Sequence, residues 1–283
     1  MIAATKARLA GRLKHRRLDS FGAWQADCAR SEDRLRRIDQ VEATLAWAPG
    51  PILHDGWCHV CRRQSKFTCA TSNLREGLPC MSCGLINRLR ASVWLFEQEC
   101  RPASGARIYL TEQVTGLYAV LAERYPSLQG SEYLGPAVPR GEMVDGVRNE
   151  SLTGLTFKAG SFSYVLSFEV FEHIPDYQQA FRECARVLRE GGRMVFSVPF
   201  LREAPTTLVR ARLRPDGTVE HLLTPEYHGD PLGADDCLCY QHFGWDLLDE
   251  LRAAGFSRAW ACVYWSRRFA YLGGEQIQFV AVR

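Results

Sequence analysis

Apolar residues first recur every three or four positions along this chain, then give way to short apolar runs alternating with helix-like segments. Leu9, Leu13, Phe21 and Trp24, followed by Leu35, Ile38, Val41 and Leu45, make residues 1–47 read as helical. Ala48-Pro49-Gly50-Pro51 stops that pattern. Trp57 to Gly84 is a cysteine segment, Leu85–Glu99 reads as a helix, and Pro102 to Gly105 ends it. From Ala106 the texture changes. Ala106–Thr111 and Gln129–Leu134 are predicted strands with a helix over Leu117–Tyr125 between them, and Phe162–Phe168 is a further strand. Asp176 with Gln179 three residues later predicts a capped helix. Tyr177, Ala180, Phe181, Cys184, Val187 and Leu188 mark its apolar face, and Gly191-Gly192 is expected to end it. Arg193–Val198 follows as a strand. Strand, helix and strand in that order form a βαβ unit, which implies a parallel sheet. Residues 200–242 are rich in Pro and Gly and read as a long functional loop or lid. Trp245–Ala254 is a helix closed by Gly255, and Ala259–Trp265 and Gln276–Val282 are two last strands close enough in sequence to pair antiparallel.

Composition adds bounds. The 283 residues are 46% hydrophobic, enough for a real core. Lys and Arg number 35 against 32 Asp and Glu, a net +3 too mild to imply a nucleic-acid partner by itself. The first 17 residues nevertheless carry Lys6, Arg8, Arg12, Lys14, Arg16 and Arg17 and no acid. Such a start reads first as a solvated helix, with a transit peptide or an RNA-facing patch as alternatives. No apolar run has the length of a membrane span, so the expectation is a soluble, cytoplasmic protein with no membrane partner.

Eleven cysteines are present. Cys58-x2-Cys61 and Cys80-x2-Cys83 stand 18 residues apart, and each CxxC turn can present two thiolates to one metal. Together they make a tetrahedral sulfur site suited to a structural Zn²⁺, ahead of an iron–sulfur cluster or plain thiols. Gly84 allows the tight turn, and Arg62, Arg63, Lys66 and Arg88 are near enough in sequence to offset thiolate charge. Cys69 reads as a small buried residue. Cys237, Cys239 and His242 form a weaker pattern, read as core or loop.

Residues 162–200 carry a hydrophobic strand, then Glu172-His173-Ile174-Pro175-Asp176, a capped helix ending in Leu188-Arg189-Glu190-Gly191-Gly192, and another strand. This ordered stretch resembles class I S-adenosylmethionine-dependent methyltransferases of the type 11 kind, with weaker similarity over residues 106–283. The resemblance implies an α/β fold: a Rossmann-like, seven-stranded methyltransferase sheet with helices on both faces, its last strand pair antiparallel. Here it is preceded by a helical segment (1–50) and a zinc-ribbon-like module (51–92), leaving 93–283 as the methyltransferase domain. It implies S-adenosylmethionine as cofactor. By the same resemblance Glu132 grips the ribose hydroxyls, with Tyr133 beside it. Glu150 or Ser151, with Leu152, meets the adenine, and Phe168 and Glu169 line the sulfonium end, where an aromatic face favours the cation. The family's first loop is glycine-rich, whereas this chain reads Leu110-Thr111-Glu112-Gln113-Val114-Thr115-Gly116. Gly116 alone falls where a family glycine would, and Glu112 is placed for the cofactor's amino group.

Methyl transfer to a hydroxyl needs a base as well as alignment. His173, His221 and His228 are the candidate catalytic residues, with Tyr227, Asp230 and His242 nearby. Ser167-Phe168-Glu169-Val170 lacks the Asn/Asp-Pro-Pro-aromatic signature of methyltransferases that act on exocyclic base amines. The reading is therefore a methyltransferase acting on a small-molecule or saccharide oxygen. An RNA methyltransferase gripping its substrate with the zinc ribbon, or a catalytically idle binding protein, are the alternatives.

Overall fold

The computed structural model describes residues 13–46, 52–229, 232–233 and 236–283. Lys6, Arg8, Leu9, Arg12, the Ala48–Pro51 stop and Asp230 lie outside the described residues. Two compact units emerge. The first comprises the chain up to Arg101 together with Ala261–Gln278, the second Pro102–Trp260 together with Phe279–Arg283.

In the first unit, Arg16–Leu18 is a strand (β1), followed by helices Phe21–Ala29 (α1) and Glu32–Ala46 (α2). The expectation of uninterrupted helix over residues 1–47 is thus corrected. Arg16–Leu18 pairs antiparallel with Val263–Ala261, and charge pairing explains why. Arg16 meets Asp27 and Glu275 at 3.0 and 2.8 Å, and Arg17 meets the buried Glu99 at 2.7 Å. These two arginines answer internal carboxylates and do not form a basic patch. Strands Ile52–Cys58 (β2) and Arg63–Cys69 (β3) form an antiparallel ribbon. Helix Asn87–Cys100 (α3) follows and is buried along most of its length. Its Arg90 has no exposed surface. The guanidinium lies 4.1 Å above the Phe67 ring and donates to the carbonyls of Leu78, Phe269 and Ala270. Asn87 similarly donates to Leu74 and Leu272.

In the second unit come Ile108–Leu110 (β4), Gly116–Arg124 (α4) and Leu128–Gly130 (β5), then a hairpin of Met143–Val144 (β6) and Val147–Arg148 (β7). Asp145 and Gly146 turn that hairpin, both at positive φ. Phe162–Phe168 (β8) leads through a 3₁₀ turn at Phe171–His173 to helix Tyr177–Val187 (α5) and strand Leu188–Ser197 (β9). Asp176 caps α5 by accepting from the Gln179 amide at 3.0 Å. The helix stops at Val187, four residues before the glycines expected to end it. Gly191-Gly192 instead turn within an irregular start of β9, where the register against β8 slips between Phe162↔Leu188 and Tyr164↔Arg193. The described residues between 200 and 242 include short ribbons. Leu208–Val209 (β10) pairs Gln241–His242 (β15), Ala211–Leu213 (β11) pairs Val219–His221 (β12), and Tyr227–His228 (β13) pairs Cys237–Leu238 (β14). Helix Leu247–Ala253 (α6) and strands Arg258–Ser266 (β16) and Tyr271–Val282 (β17) complete the chain.

The main sheet has seven strands in the order β1-β16-β17-β9-β8-β4-β5. It is parallel across β5, β4, β8 and β9, and β17 runs antiparallel to β9. This is the Rossmann-like α/β sheet the sequence implied. Its third position is reduced, because Gln129–Leu134 is a strand only to Gly130 and residue Glu132 then makes one parallel bridge to Asn149. Among the described residues no helix is long and apolar enough to cross a membrane.

Removing the buried Arg90 guanidinium strands three carbonyls. Arg90→Ala is expected to lower stability by about 3–5 kcal/mol, read from the urea midpoint.

Candidate functional site

The chain runs from β4 outward to β5 and returns to β8 on the other side of β4. Such a reversal, at the carboxyl ends of β4 and β8, is where open α/β sheets hold their ligands in a crevice. Two segments border it, residues 111–116 after β4 and residues 169–176 after β8.

The first segment is held by an acid. Glu132 is buried, and its Oε1 accepts from the backbone amides of Gln113 and Val114 at 2.5 and 2.9 Å. Gln113 in turn donates its side-chain amide to Gly146 and accepts from the Arg148 amide, which clips the loop to the β6–β7 hairpin. Glu112 accepts from the Thr115 hydroxyl at 2.5 Å, and Thr115 caps α4, whose first residue is Gly116. Gly130 lets Tyr118 and the Glu112 carbonyl pack closely beside the loop. A Cβ at Gly130 would stand 2.5 Å from the Tyr118 ring and 2.9 Å from the Glu112 carbonyl. Gly130, Gln113 and Arg148 were not singled out from sequence; only a strand-ending glycine could have pointed to the first.

Glu150 is buried and spoken for. Arg148 donates to it at 2.9 Å, and Thr156 donates both its amide and its hydroxyl. Ser151 exchanges a hydrogen bond with Thr153, Leu152 is buried, and Tyr133 is 58% exposed. Phe168 is buried at the end of β8, and Glu169 follows with φ of +57°, a left-handed conformation that costs a non-glycine residue of order 1 kcal/mol. Backbone strain at a strand end facing the crevice is the kind that functional sites retain.

The second segment carries a charged cluster. Glu172 is fully buried and neither carboxylate oxygen accepts a hydrogen bond. His173 Nε2 lies 3.6 Å and His228 Nδ1 3.7 Å from Glu172 Oε1. Burial pushes the Glu172 carboxyl up to about 7, and that carboxylate raises the imidazole of His228 to about 9, assisted by Glu226. Glu226 Oε1 lies 3.1 Å from both His228 Nε2 and His242 Nε2, and Arg210 stands 3.1 Å from its other oxygen. The cluster thus brings together His173 and His228, while His221 stands exposed on β12 outside it. Cys239 and His242 do approach each other, with Glu226 as third member, and Cys237 does not join them. Glu172 and Glu226 were underrated from sequence. Glu226 and His228, two apart in a strand, share a face, and that was the available signal.

In the first unit Cys58, Cys61, Cys80 and Cys83 converge. Cys58 and Cys83 sulfurs are 4.0 Å apart and those of Cys61 and Cys80 3.8 Å apart. Four sulfurs at about 2.3 Å from a tetrahedral zinc ion would be about 3.8 Å apart, so the set fits that metal. Amides of Cys61 and Ser82 donate to Cys58 and Cys80, the Ser65 hydroxyl lies 3.0 Å from Cys80 sulfur, and Gly84 turns at φ of +76°. Of the expected compensating cations, Arg88 is paired with Glu76 and Arg62 lies 3.9 Å from Glu97. Burial lowers the pKa of Arg90, and the nearby Cys58, Cys80 and Cys83 partly oppose that shift. Cys69 is buried apart, donating to the Thr71 carbonyl.

Residues 110–196 match the family described as "Methyltransferase domain". The matched stretch lies within the second unit and spans less than a third of the chain. Similar solved structures include S-adenosylmethionine-dependent methyltransferases from Mesorhizobium loti and Listeria monocytogenes. These are 16% and 15% identical, cover 68% of this chain and 98% of theirs, and each has a TM-score of 0.40. A phosphoethanolamine N-methyltransferase from Haemonchus contortus is 14% identical over 68% of this chain and 52% of its own, with a TM-score of 0.41. No curated protein matches the chain.

If the Glu132 carboxylate holds the 111–116 loop, Glu132→Ala should expose the Gln113 and Val114 amides. Losing a charge-assisted bond worth about 1.5–3 kcal/mol predicts roughly 10- to 100-fold faster hydrogen exchange at those two amides. Unchanged exchange would sink the assignment.

Proposed function

We propose that this protein transfers a methyl group from S-adenosylmethionine to an oxygen of a small-molecule or saccharide acceptor, on a scaffold that includes one structural zinc ion. The observation that carries this reading is the convergence of a strained acid, Glu169, and the Glu172–His173–His228 cluster at the carboxyl end of β8, beside the β4 loop. S-adenosylmethionine, when bound, supplies an electrophilic methyl group on sulfur. Glu112, Gly116, Tyr133, Ser151, Leu152, Phe168 and Glu169 line the cofactor's side of the crevice. Glu132 and Glu150, whose carboxylates are engaged within the protein, shape it from behind by fixing the β4 loop and Arg148. The histidine cluster forms the acceptor's side. His221 has no part in this arrangement.

The mild net charge and the internal pairing of Arg16 and Arg17 favour a small acceptor over RNA. Calorimetric titration of the full chain with S-adenosylmethionine and S-adenosylhomocysteine is expected to give micromolar dissociation constants. No heat at millimolar cofactor, in folded zinc-loaded protein, would replace this reading with that of an idle homologue.

The zinc ligands are Cys58, Cys61, Cys80 and Cys83, a closed set with no open position and hence a structural role. Cys58→Ser is expected to release the metal and lower the unfolding midpoint, with metal content measured by mass spectrometry. Retention of a full equivalent of zinc would exclude this ligand set.

A further inference from the structure

We propose that Glu172, His173 and His228 form a second metal site, for a divalent transition-metal ion with at least one coordination position left open to an oxygen ligand.

The buried acids of this chain are the starting point. Among the described residues, Glu99 meets Arg17 and His15, Glu275 and Asp27 each meet Arg16 and Arg34, Glu150 meets Arg148, and Glu132 accepts from two backbone amides. Glu172 differs from all five. It is 0% exposed, no hydrogen bond reaches either oxygen, and its charged neighbours are two imidazoles beyond hydrogen-bond distance. An anion buried this way costs several kcal/mol unless a cation sits against it, either a protonated His228 or a metal ion in that proton's place.

The geometry supplies a place for one. Separations of 3.6 and 3.7 Å between ligand atoms suit ligands about 2.0–2.2 Å from a common ion. Both imidazoles are oriented from behind. His173 donates Nδ1–H to the Leu238 carbonyl at 2.9 Å and so turns Nε2 toward Glu172. His228 directs Nε2–H at the Glu226 carboxylate at 3.1 Å and turns Nδ1 toward Glu172. A carbonyl or carboxylate behind a histidine fixes the tautomer that a metal requires. The rings stand edge to face, centroids 5.0 Å apart, as two ligands approaching one ion from different directions. Arg210 and His242 anchor Glu226 in its turn.

Two histidines and one carboxylate suit zinc, iron(II) or a similar ion and leave coordination positions for water or substrate. Resting on the methyl-transfer reading above, the open position would take the acceptor oxygen, and the acceptor class narrows to hydroxyl compounds that bind metals, such as vicinal diols. A bound metal lowers the pKa of such an oxygen.

The test uses metal-free full-length protein titrated with Co²⁺, without cofactor or acceptor, so that it is independent of methyl transfer. Wild type is expected to bind one equivalent with thiolate charge-transfer absorption and a second without it. Glu172→Gln and His228→Asn should each lose only the second, the retained thiolate signal reporting an intact fold. Cys58→Ser should lose only the first. Glu226→Gln should weaken the second by about 10- to 100-fold. Absence of a sulfur-free equivalent in wild type, or its survival in both ligand variants, would overturn the proposal.

Discussion

The carboxylate of Glu132 is the constraint on which the crevice depends. Two backbone amides of the β4 loop converge on one oxygen, so the loop cannot relax without stranding a buried charge. The same residue makes an isolated parallel bridge to Asn149 through its main chain. One side chain thereby does what a glycine-rich turn does elsewhere, drawing the loop in from the edge instead of letting backbone approach from below. Gly130 completes the substitution by letting α4 lie close on β5.

Buried charge is handled in two ways. In the first, an arginine is sunk among carbonyls and laid on an aromatic face, and acids at Glu99 and Glu275 are met by arginines. These pairs are complete in themselves. In the second, Glu132 and Glu150 are likewise met within the chain, and Glu172 differs in that neither of its oxygens accepts a hydrogen bond. Charge satisfied within the chain holds a fold together, whereas charge left waiting belongs to chemistry with a ligand.

Much of the fold was legible from periodicity. Phe162–Phe168 and the Asp176 cap stand where the pattern put them, because a period of two and a cap-plus-stripe signal are local properties. The two CxxC turns converge as their spacing implied. What stayed hidden was non-local. Arg16 and Arg17 read as a solvated basic face because Glu275 and Glu99 are distant in sequence. The glycines at 191–192 read as a helix stop because the slip of β9 against β8 depends on pairing. Glu172 looked like one acid in a motif, and its setting appears only when Glu226, His228 and Leu238 come beside it.

Tyr271–Val282 has one further consequence, for the order of events during synthesis. Its first eight residues belong to the first unit and its last four to the second. Arg90 and Asn87, made early, find their carbonyl partners only at Phe269, Ala270 and Leu272. A nascent chain that has not reached this strand has neither unit closed. Domains usually fold from the amino end as they leave the ribosome. Here the cysteine module must wait with its buried arginine unpaired until residues 269–272 have been made.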